Sequence, residues 1–460
     1  MSDIIDKGYA ERVPTDDEPQ TDGQRWYIPH HGVYHPKKPG KIRVVFDRSA
    51  EYHRETLNSH LLQGPDLTNE LIGVLCHFRQ EPIAFTCDIE AMFHQVGVDV
   101  KHRDYLRFLW YENGNLDNEP TEYRLFGATS SPGCVNFALK TTADLYEKDY
   151  GKDAADFVRR DFYVYEGLKS VREPSEAINL IESSRQLCQR GGLNCTSTYR
   201  TTRKSSIVFL QHNELRTYKP STFVARTYQS SACWVCNGVE SDTFQFRVQL
   251  KDKPLTRRGI LSTVSSVYDP LGLVSPLLLG GRHILQELCK DGADWDDPIP
   301  ENTMIKWEKW RRDILLLSSL KIPRCYKPNN FGKLKKAELH HFSDASHYGY
   351  GQCSYLRLID DEDRVSSSLV MGKSRVVPTR PMTLPRLELT AAVISARVGA
   401  FLRDNLQYED VSHTYYTDSN AVLGYINNEA KHFHIFVANQ WTSGDTSIPR
   451  QIQQTWLREV

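Results

Sequence analysis

The chain is 460 residues long, carries a formal net charge of −1, and is 40% hydrophobic and 25% charged. That length suggests roughly three domains with sizeable cores, and the composition is that of an ordinary soluble protein. The near-neutral total argues neither for nor against a nucleic-acid partner, because a local basic patch is compatible with it.

The opening MSDIIDKGYAERVPTDDEPQTDG is acidic and polar, the opposite of a secretory leader. Together with ten irregularly spaced cysteines it predicts reduced thiols in cytosol or nucleus and a chain that is not secreted. The sequon Asn194-Cys195-Thr196 is then expected to stay unglycosylated. Residues 1–24 are expected to form a flexible tail. Short strands begin after Trp26. KIRVVFD (Lys41 to Asp47) is β-branched and bounded by Pro39-Gly40. IAFTCDI (Ile83 to Ile89) is a nearly continuous apolar run ending on an acid, as a buried strand does. DFVRRDFYVY (Asp156 to Tyr165) reads as a further strand. Its end overlaps FYVYEGLKS, a hairpin predicted to turn at Gly167 with Glu166 at the tip. Pro174 to Arg190 reads as a helix, with Pro in its first turn, Ile178, Ile181 and Cys188 on one face, and Gly191-Gly192 as the stop.

Residues 255–330 mix apolar helical stretches with Pro and Gly and place Trp307 and Trp310 at helical spacing, as a connector with its own small core does. Its run LGLVSPLLLGG is too short to span a bilayer and contains Pro, so no membrane partner is expected. A second α/β unit begins near Glu338. ELHHFSDAS is a strand ending in an acid, Gly349 to Leu358 and Ser366 to Met371 follow as strands, and Leu384 to Leu406 is a helix. SHTYYTDSNAVLGYI is a strand, an acid and a helix in succession.

Three acids of this second unit share a position. Asp344 ends a strand, Glu388 lies in the first turns of the long helix, and Asp418 stands where the last strand meets its helix. Ligands in open α/β sheets bind at strand ends. Carboxylates converging there suit Mg²⁺ or Mn²⁺, which prefer hard oxygen ligands, and paired ions of this kind drive phosphodiester chemistry. Each acid alone is as readily a solvated loop residue or a helix cap; the three together make the case.

FSDAS, PRLELTAAV and TDSNAVLGYI resemble the ribonuclease H domain of retrotransposon polyproteins. The resemblance implies that Asp344, Glu388 and Asp418 are the first three metal-binding acids. That family has a fourth acid further on. Here HIFVANQ and WTSGDTSIPRQIQQTWLREV depart from the pattern, the sequence reaches Val460 before that acid is expected, and Asp445 is a poor substitute. The first half resembles the reverse transcriptase of Bel/Pao-class long-terminal-repeat retrotransposons. The stretches that carry this are WYIPHHGVYHP, KIRVVFDRSA, LNSHLLQGPDL, CDIEAMFHQVGV, YRLFGATSSPG and RRGILSTVSSVYDPLGLVSP.

The implied fold is a multidomain α+β and α/β chain, with an antiparallel fingers–palm sheet and helices, a helical connector, and a mixed α/β ribonuclease H-like domain. The expected boundaries are 1–24 for the tail, 25–250 for fingers and palm, 251–335 for a thumb-like connector, 336–440 for the truncated ribonuclease H-like domain and 441–460 for a divergent end. The implied ligands are primer–template or an RNA–DNA hybrid, with deoxynucleotides if the palm is active. By the same resemblance Asp88 is the palm's partner acid, Lys41 and Arg43 face an incoming triphosphate, Met92 lies near the nucleotide sugar, and Phe126-Gly127 pack against the template pair. Read without it, Lys41 and Arg43 are equally two surface strand residues, and Met92 is equally a core residue.

In that family the hairpin tip carries two adjacent aspartates after Tyr-Val. Here Tyr163-Val164 are followed by Tyr165 and Glu166. The site therefore loses a charged ligand, and DNA polymerase activity is expected to be absent or nearly so; with the fourth acid of the second unit missing, cleavage of hybrid RNA is expected to be doubtful. A non-catalytic nucleic-acid-binding protein and a pure interaction module stand as alternatives. Cys233 to Cys236 has CxxC spacing without a second ligand pair. The pairs His30-His31, His340-His341 and His432/His434 lack a third ligand, and Asp360 to Asp363 is expected to be a solvated loop.

Overall fold

In the computed structural model the described residues are 1–14, 25–35, 38–62, 64–126, 132–201, 207–211, 214–218, 233–237, 242–248, 250, 252–427 and 456–458. A six-stranded antiparallel sheet forms the palm, in the order Glu214–Tyr218, Ile207–Gln211, Cys195–Thr201, Ile83–Ile89, Glu166–Val171, Phe162–Tyr163. Alternation along the central strand divides its side chains between two cores. Ile83, Phe85, Cys87 and Ile89 pack with Val135, Leu139, Phe157 and Ile181 of the helices Pro132–Tyr150, Lys152–Arg160 and Pro174–Arg190. Ala84, on the other face, joins Val74, Phe78 and Leu168 in a core shared with the connector.

Two expectations change here. The segment 152–160 is helical: Ala154, Ala155, Phe157 and Val158 are buried, and their spacing is that of one helical face. The aromatic and β-branched run that follows masked this helix. The hairpin then turns at Val164-Tyr165, since Tyr163 pairs with Glu166, and not at Gly167. Gly167 has a packing role instead, because a Cβ there would stand 2.7 Å from Cys87 Sγ and 2.8 Å from the Phe162 ring. The N-terminal segment also differs from a flexible tail over residues 1–14. Ser2–Asp6 is helical, and Ala10–Arg12 pairs with the Thr121–Leu125 strand. A partner more than a hundred residues away gives this polar stretch its order, and no local pattern encodes that.

The connector comprises the helices Arg257–Val264, Ser275–Lys290 and Glu301–Leu315. Trp307 and Trp310 stack at 5.0 Å, and Trp310 Nε1 donates to the Leu277 carbonyl at 2.8 Å. The strand Thr243–Arg247 pairs with Lys321–Pro323, and its Phe244 and Phe246 join the connector's core. Cys233 to Cys236 lie in the neighbouring strand Cys233–Asn237.

The connector also docks on the second sheet, ordered Val365–Val376, Gly349–Asp360, Leu334–Ala345, Ser412–Thr417, Trp456–Arg458. Gly372 donates to the Leu271 carbonyl at 2.8 Å, and Ser374 Oγ donates to the Ser275 carbonyl at 3.0 Å. Gly272 has φ +67°, and a Cβ on it would collide with the Gly372 carbonyl oxygen. Gly272→Ala is therefore expected to lower stability by about 2–5 kcal/mol, from left-handed strain together with overpacking. Urea midpoints of the two proteins check this, and equal midpoints would refute the contact.

Two buried arginines join palm, connector and second sheet. Arg324 is 2% exposed; it donates to the carbonyls of Phe78, Glu81 and Pro82 and forms a two-pronged pair with Asp242. Arg79 donates to the Arg324 and Leu369 carbonyls and stacks on Tyr326 at 4.3 Å. Such desolvated cations hold only where several carbonyls accept from them. Asp360 departs from the expected solvated loop. It is fully buried and accepts from the backbone of Gly332, Glu362 and Arg364 and from the Arg364 side chain. Burial opposes its charge, and these donors more than offset that, bringing its pKa down to about 2.

Candidate metal centre

In the second unit the strand Leu334–Ala345 alternates buried and half-exposed residues until Asp344, which emerges at its end. Ser412–Thr417 runs parallel beside it and delivers Asp418 just past its own end. The helix Leu384–Asn405 lies on this sheet through Leu387, Ala391, Ile394, Val398 and Leu402, and its first turns carry Glu388. Oxygens of Asp344, Glu388 and Asp418 lie within 4.8 Å of one another. The three predicted acids are brought to one point.

Their surroundings differ. Asp344 and Asp418 are exposed, whereas Glu388 is 7% exposed and its Oε2 is buried without a hydrogen-bond partner. Burial, then the like charges of Asp344 and Asp418, push its pKa up to about 7, against a smaller opposing effect of the Ala345 N–H. A buried carboxylate oxygen with no donor, beside two other carboxylates, is a poor arrangement for the bare protein and a fitting one for a divalent cation. Asp445 and the pair His432/His434 lie outside the described residues, as does Gly127.

The palm gathers a second and weaker set. Asp88 and Glu166 are directly cross-strand partners. Tyr165 sits in the two-residue turn, 40% exposed, and its carbonyl accepts from Ile89. Val164 holds φ +56°, a costly conformation for a β-branched residue, so the tip is strained even without its aspartates. Burial, then Asp88, raise Glu166 to about 7, and its Oε2 has no hydrogen-bond partner. Burial raises the Tyr165 phenol as well, followed by the charges of Glu166 and Asp88, with Arg43 opposing them. Arg43, exposed on the strand Lys38–Phe46, thus acts electrostatically on the tip. Lys41 belongs to the same strand. Met92 is 2% exposed within the palm core. The Phe126 ring lies under Arg103 at 4.7 Å. A phenol and two acids do not fit a site for two close cations, which need several anionic oxygens to offset their repulsion.

One feature of the second sheet was not visible as a site. His341 is fully buried, with its Nδ1 2.7 Å from Ser354 Oγ and its Nε2 3.1 Å from His413 Nδ1. The two histidines come from parallel neighbouring strands, and only the register joins them. Burial, then His413, His340 and Arg403, lowers His341 to about 3; burial, then Arg403, lowers His413 to about 4.

These shifts set an acid response. Lowered histidines stay neutral in the fold where the unfolded chain takes up protons below about pH 6.5, so they cost stability as pH falls. Glu166 and Glu388, raised to about 7, hold protons in the fold that the unfolded chain releases above about 4.3, so they gain stability as pH falls. The two pairs oppose each other between about pH 4.3 and 6.5. Glu166→Gln with Glu388→Gln is expected to unmask the histidines, steepening the acid loss relative to wild type by up to about 1.4 kcal/mol per pH unit for each glutamate removed. Urea midpoints at two pH values within that window, without divalent cations, measure the difference; parallel curves would count against both assignments.

Among known proteins, the family of Pao retrotransposon-like RNaseH-like domains matches residues 256–419. No curated protein matches the chain. Its fold is similar to the foamy viral protease-reverse transcriptase dRH in complex with double-stranded DNA, at 12% identity and TM-score 0.58, over 99% of this chain and 68% of that one. The foamy viral protease-reverse transcriptase with RNA/DNA hybrid aligns at 11% identity and TM-score 0.56, over 100% of this chain and 52% of that one. The same enzyme with double-stranded DNA aligns at 12% identity and TM-score 0.56, over 100% and 81%. At such identities the likeness speaks to fold, and the fold is that of a reverse transcriptase followed by a ribonuclease H-like domain. The family match spans the connector helices as well as most of the second sheet, the same two parts that Gly272, Ser275 and Gly372 hold together. Residues 256–419 are thus similar to the Pao retrotransposon-like RNaseH-like domains, within a chain whose fold is similar to that of reverse transcriptases.

Proposed function

We propose that the chain binds the sugar–phosphate backbone of an RNA–DNA hybrid or primer–template, cleaves hybrid RNA at Asp344, Glu388 and Asp418, and does not extend primers. The observation that carries this is the convergence of the three acids within 4.8 Å. The fold relatives include complexes with double-stranded DNA and with RNA/DNA hybrid, which supports a nucleic-acid partner. Mg²⁺ or Mn²⁺ bound by these acids would supply an activated water and stabilise the leaving oxygen. The chain's own contribution is orientation. The rigid strand end sets Asp344, the helix start sets Glu388, and burial of Glu388 keeps water from its oxygen.

In the palm, Asp88 and Glu166 lack the charge for paired cations, so that half is assigned to holding duplex. The same reading places the protein in cytosol or nucleus, where its cysteines remain reduced. No helix among the described residues is long and apolar enough to cross a membrane. Incubating the full chain with labelled RNA–DNA hybrid and Mg²⁺ or Mn²⁺, beside Asp344→Asn, tests the reading. RNA fragments from the wild type alone support it, and an intact hybrid with both proteins leaves only the binding role.

A further inference from the structure

We propose that Lys373, Arg375 and Arg380 form a phosphate track that seats the nucleic-acid backbone beside the three acids. The inference rests on the nucleic-acid reading above and adds the surface that does the holding. Lys373 and Arg375 lie on the edge strand Val365–Val376, and Arg380 lies in the segment leading from it to the helix that carries Glu388. All three are exposed. Among the described residues none of them forms an ion pair, in contrast to Arg357 and Arg364 at the other end of the same sheet, which pair with Glu338 and Asp360. The three stand within eight residues of one another, on one strand and the segment that follows it.

Register puts them at the acids' end of the sheet. Asp344, Gly351 and Ser374 form one cross-strand row. Lys373 and Arg375 flank that row on the edge strand, two strand spacings from Ser343 and Ala345, or about 10 Å. Strand alternation puts both on the face of buried Met371, which is the face the helix Leu384–Asn405 covers. That helix packs on the strands Leu334–Ala345 and Gly349–Asp360, so the edge strand stands beyond it as an open shelf. The opposite face is closed by the connector, where Ser374 Oγ meets the Ser275 carbonyl and Arg282 donates to the Ser374 carbonyl. The shelf thus has cations along it and solvent above it, at the same end of the sheet as the three acids. Side chains two residues apart on a strand are about 6.7 Å apart, on the scale of successive phosphates along one strand. Exposed Lys and Arg of this kind read backbone charge without base sequence.

The test is binding of a labelled short RNA–DNA hybrid to the full chain by fluorescence anisotropy, in EDTA, between about 50 and 300 mM KCl. The variant carries Lys373→Ala, Arg375→Ala and Arg380→Ala. A control of equal charge change carries Lys333→Ala, Lys335→Ala and Lys336→Ala, at the far end of the same sheet. The track variant is expected to bind about tenfold or more weakly at low salt, with the slope of log affinity against log salt reduced by about 2 to 3, while the control keeps both. Arg375→Lys alone should retain the slope. Unchanged slope and affinity in the track variant, or an equal loss in the control, overturns the proposal and leaves nucleic-acid binding intact. Absence of binding by the wild type overturns both.

Discussion

Asp344→Asn is expected to reduce Mg²⁺-dependent cleavage of hybrid RNA by more than about 10²-fold, while leaving affinity for the hybrid in EDTA equal or higher. The size follows from geometry. A misplacement of about 1 Å at a reacting centre already costs on the order of 10²-fold, and an amide both removes a charge and presents a donor to a cation. The retained affinity follows from electrostatics, because removing an exposed anion beside the phosphates relieves repulsion. Asp418→Asn should behave in the same way, since both acids are exposed at strand ends. Glu388→Gln is a different case: its side chain is buried, with one oxygen lacking a donor, so the neutral amide should raise stability near neutral pH while abolishing cleavage. Cleavage rate, hybrid affinity and urea midpoint, measured together on the three variants, separate a catalytic role from a structural one. Full cleavage by Asp344→Asn would sink the assignment.

The acids of the second unit were legible because each stands at an element junction, and junctions are visible in sequence. The apolar alternation of ELHHFSDAS ends at Asp344, and the helix starting at Leu384 presents Glu388 once its apolar face is set on the sheet. The helix Pro174–Arg190 has the expected bounds for the same local reason: Pro at its start, Gly at its end, and Ile181 and Cys188 buried, with Ile178 half-buried. What stayed hidden depends on distant partners. Arg79 and Arg324 are 245 residues apart and meet only in the assembled fold. His341 and His413 look like isolated histidines until parallel register makes them neighbours. The 1–14 segment was misread because a polar composition says nothing of a strand partner at residues 121–125. Asp360 was misread for the same reason, since Gly332, one of its donors, comes from another segment.

The unmodified chain is expected to leave a primer unextended with Mg²⁺ and deoxynucleotides, and Tyr165→Asp with Glu166→Asp to restore extension. The argument turns on charge at the hairpin tip. Two divalent cations held close together repel strongly, and anionic oxygens must offset that repulsion. Asp88 and Glu166, already adjacent across two strands, cannot both stay ionised easily: burial and Asp88 together hold Glu166 at about 7. Tyr165 adds no anion, because its phenol is raised above an ordinary value near 10 by burial and by those same acids. The hairpin is nonetheless built, with Tyr163 paired to Glu166, Val164 held left-handed, and Ile89 bonded to the Tyr165 carbonyl. Backbone order therefore does not depend on the missing aspartates, and the double substitution changes ligands without dismantling the turn. Glu166→Asp alone should remain inactive, since shortening one side chain supplies no new charge; Tyr165→Asp alone should recover a part, with Glu166 misplaced by one methylene. Extension products from the unmodified chain would show that a phenol and two acids suffice, while silence from the double variant would move the defect away from the tip, toward the core-packed Met92 or the Arg43 strand.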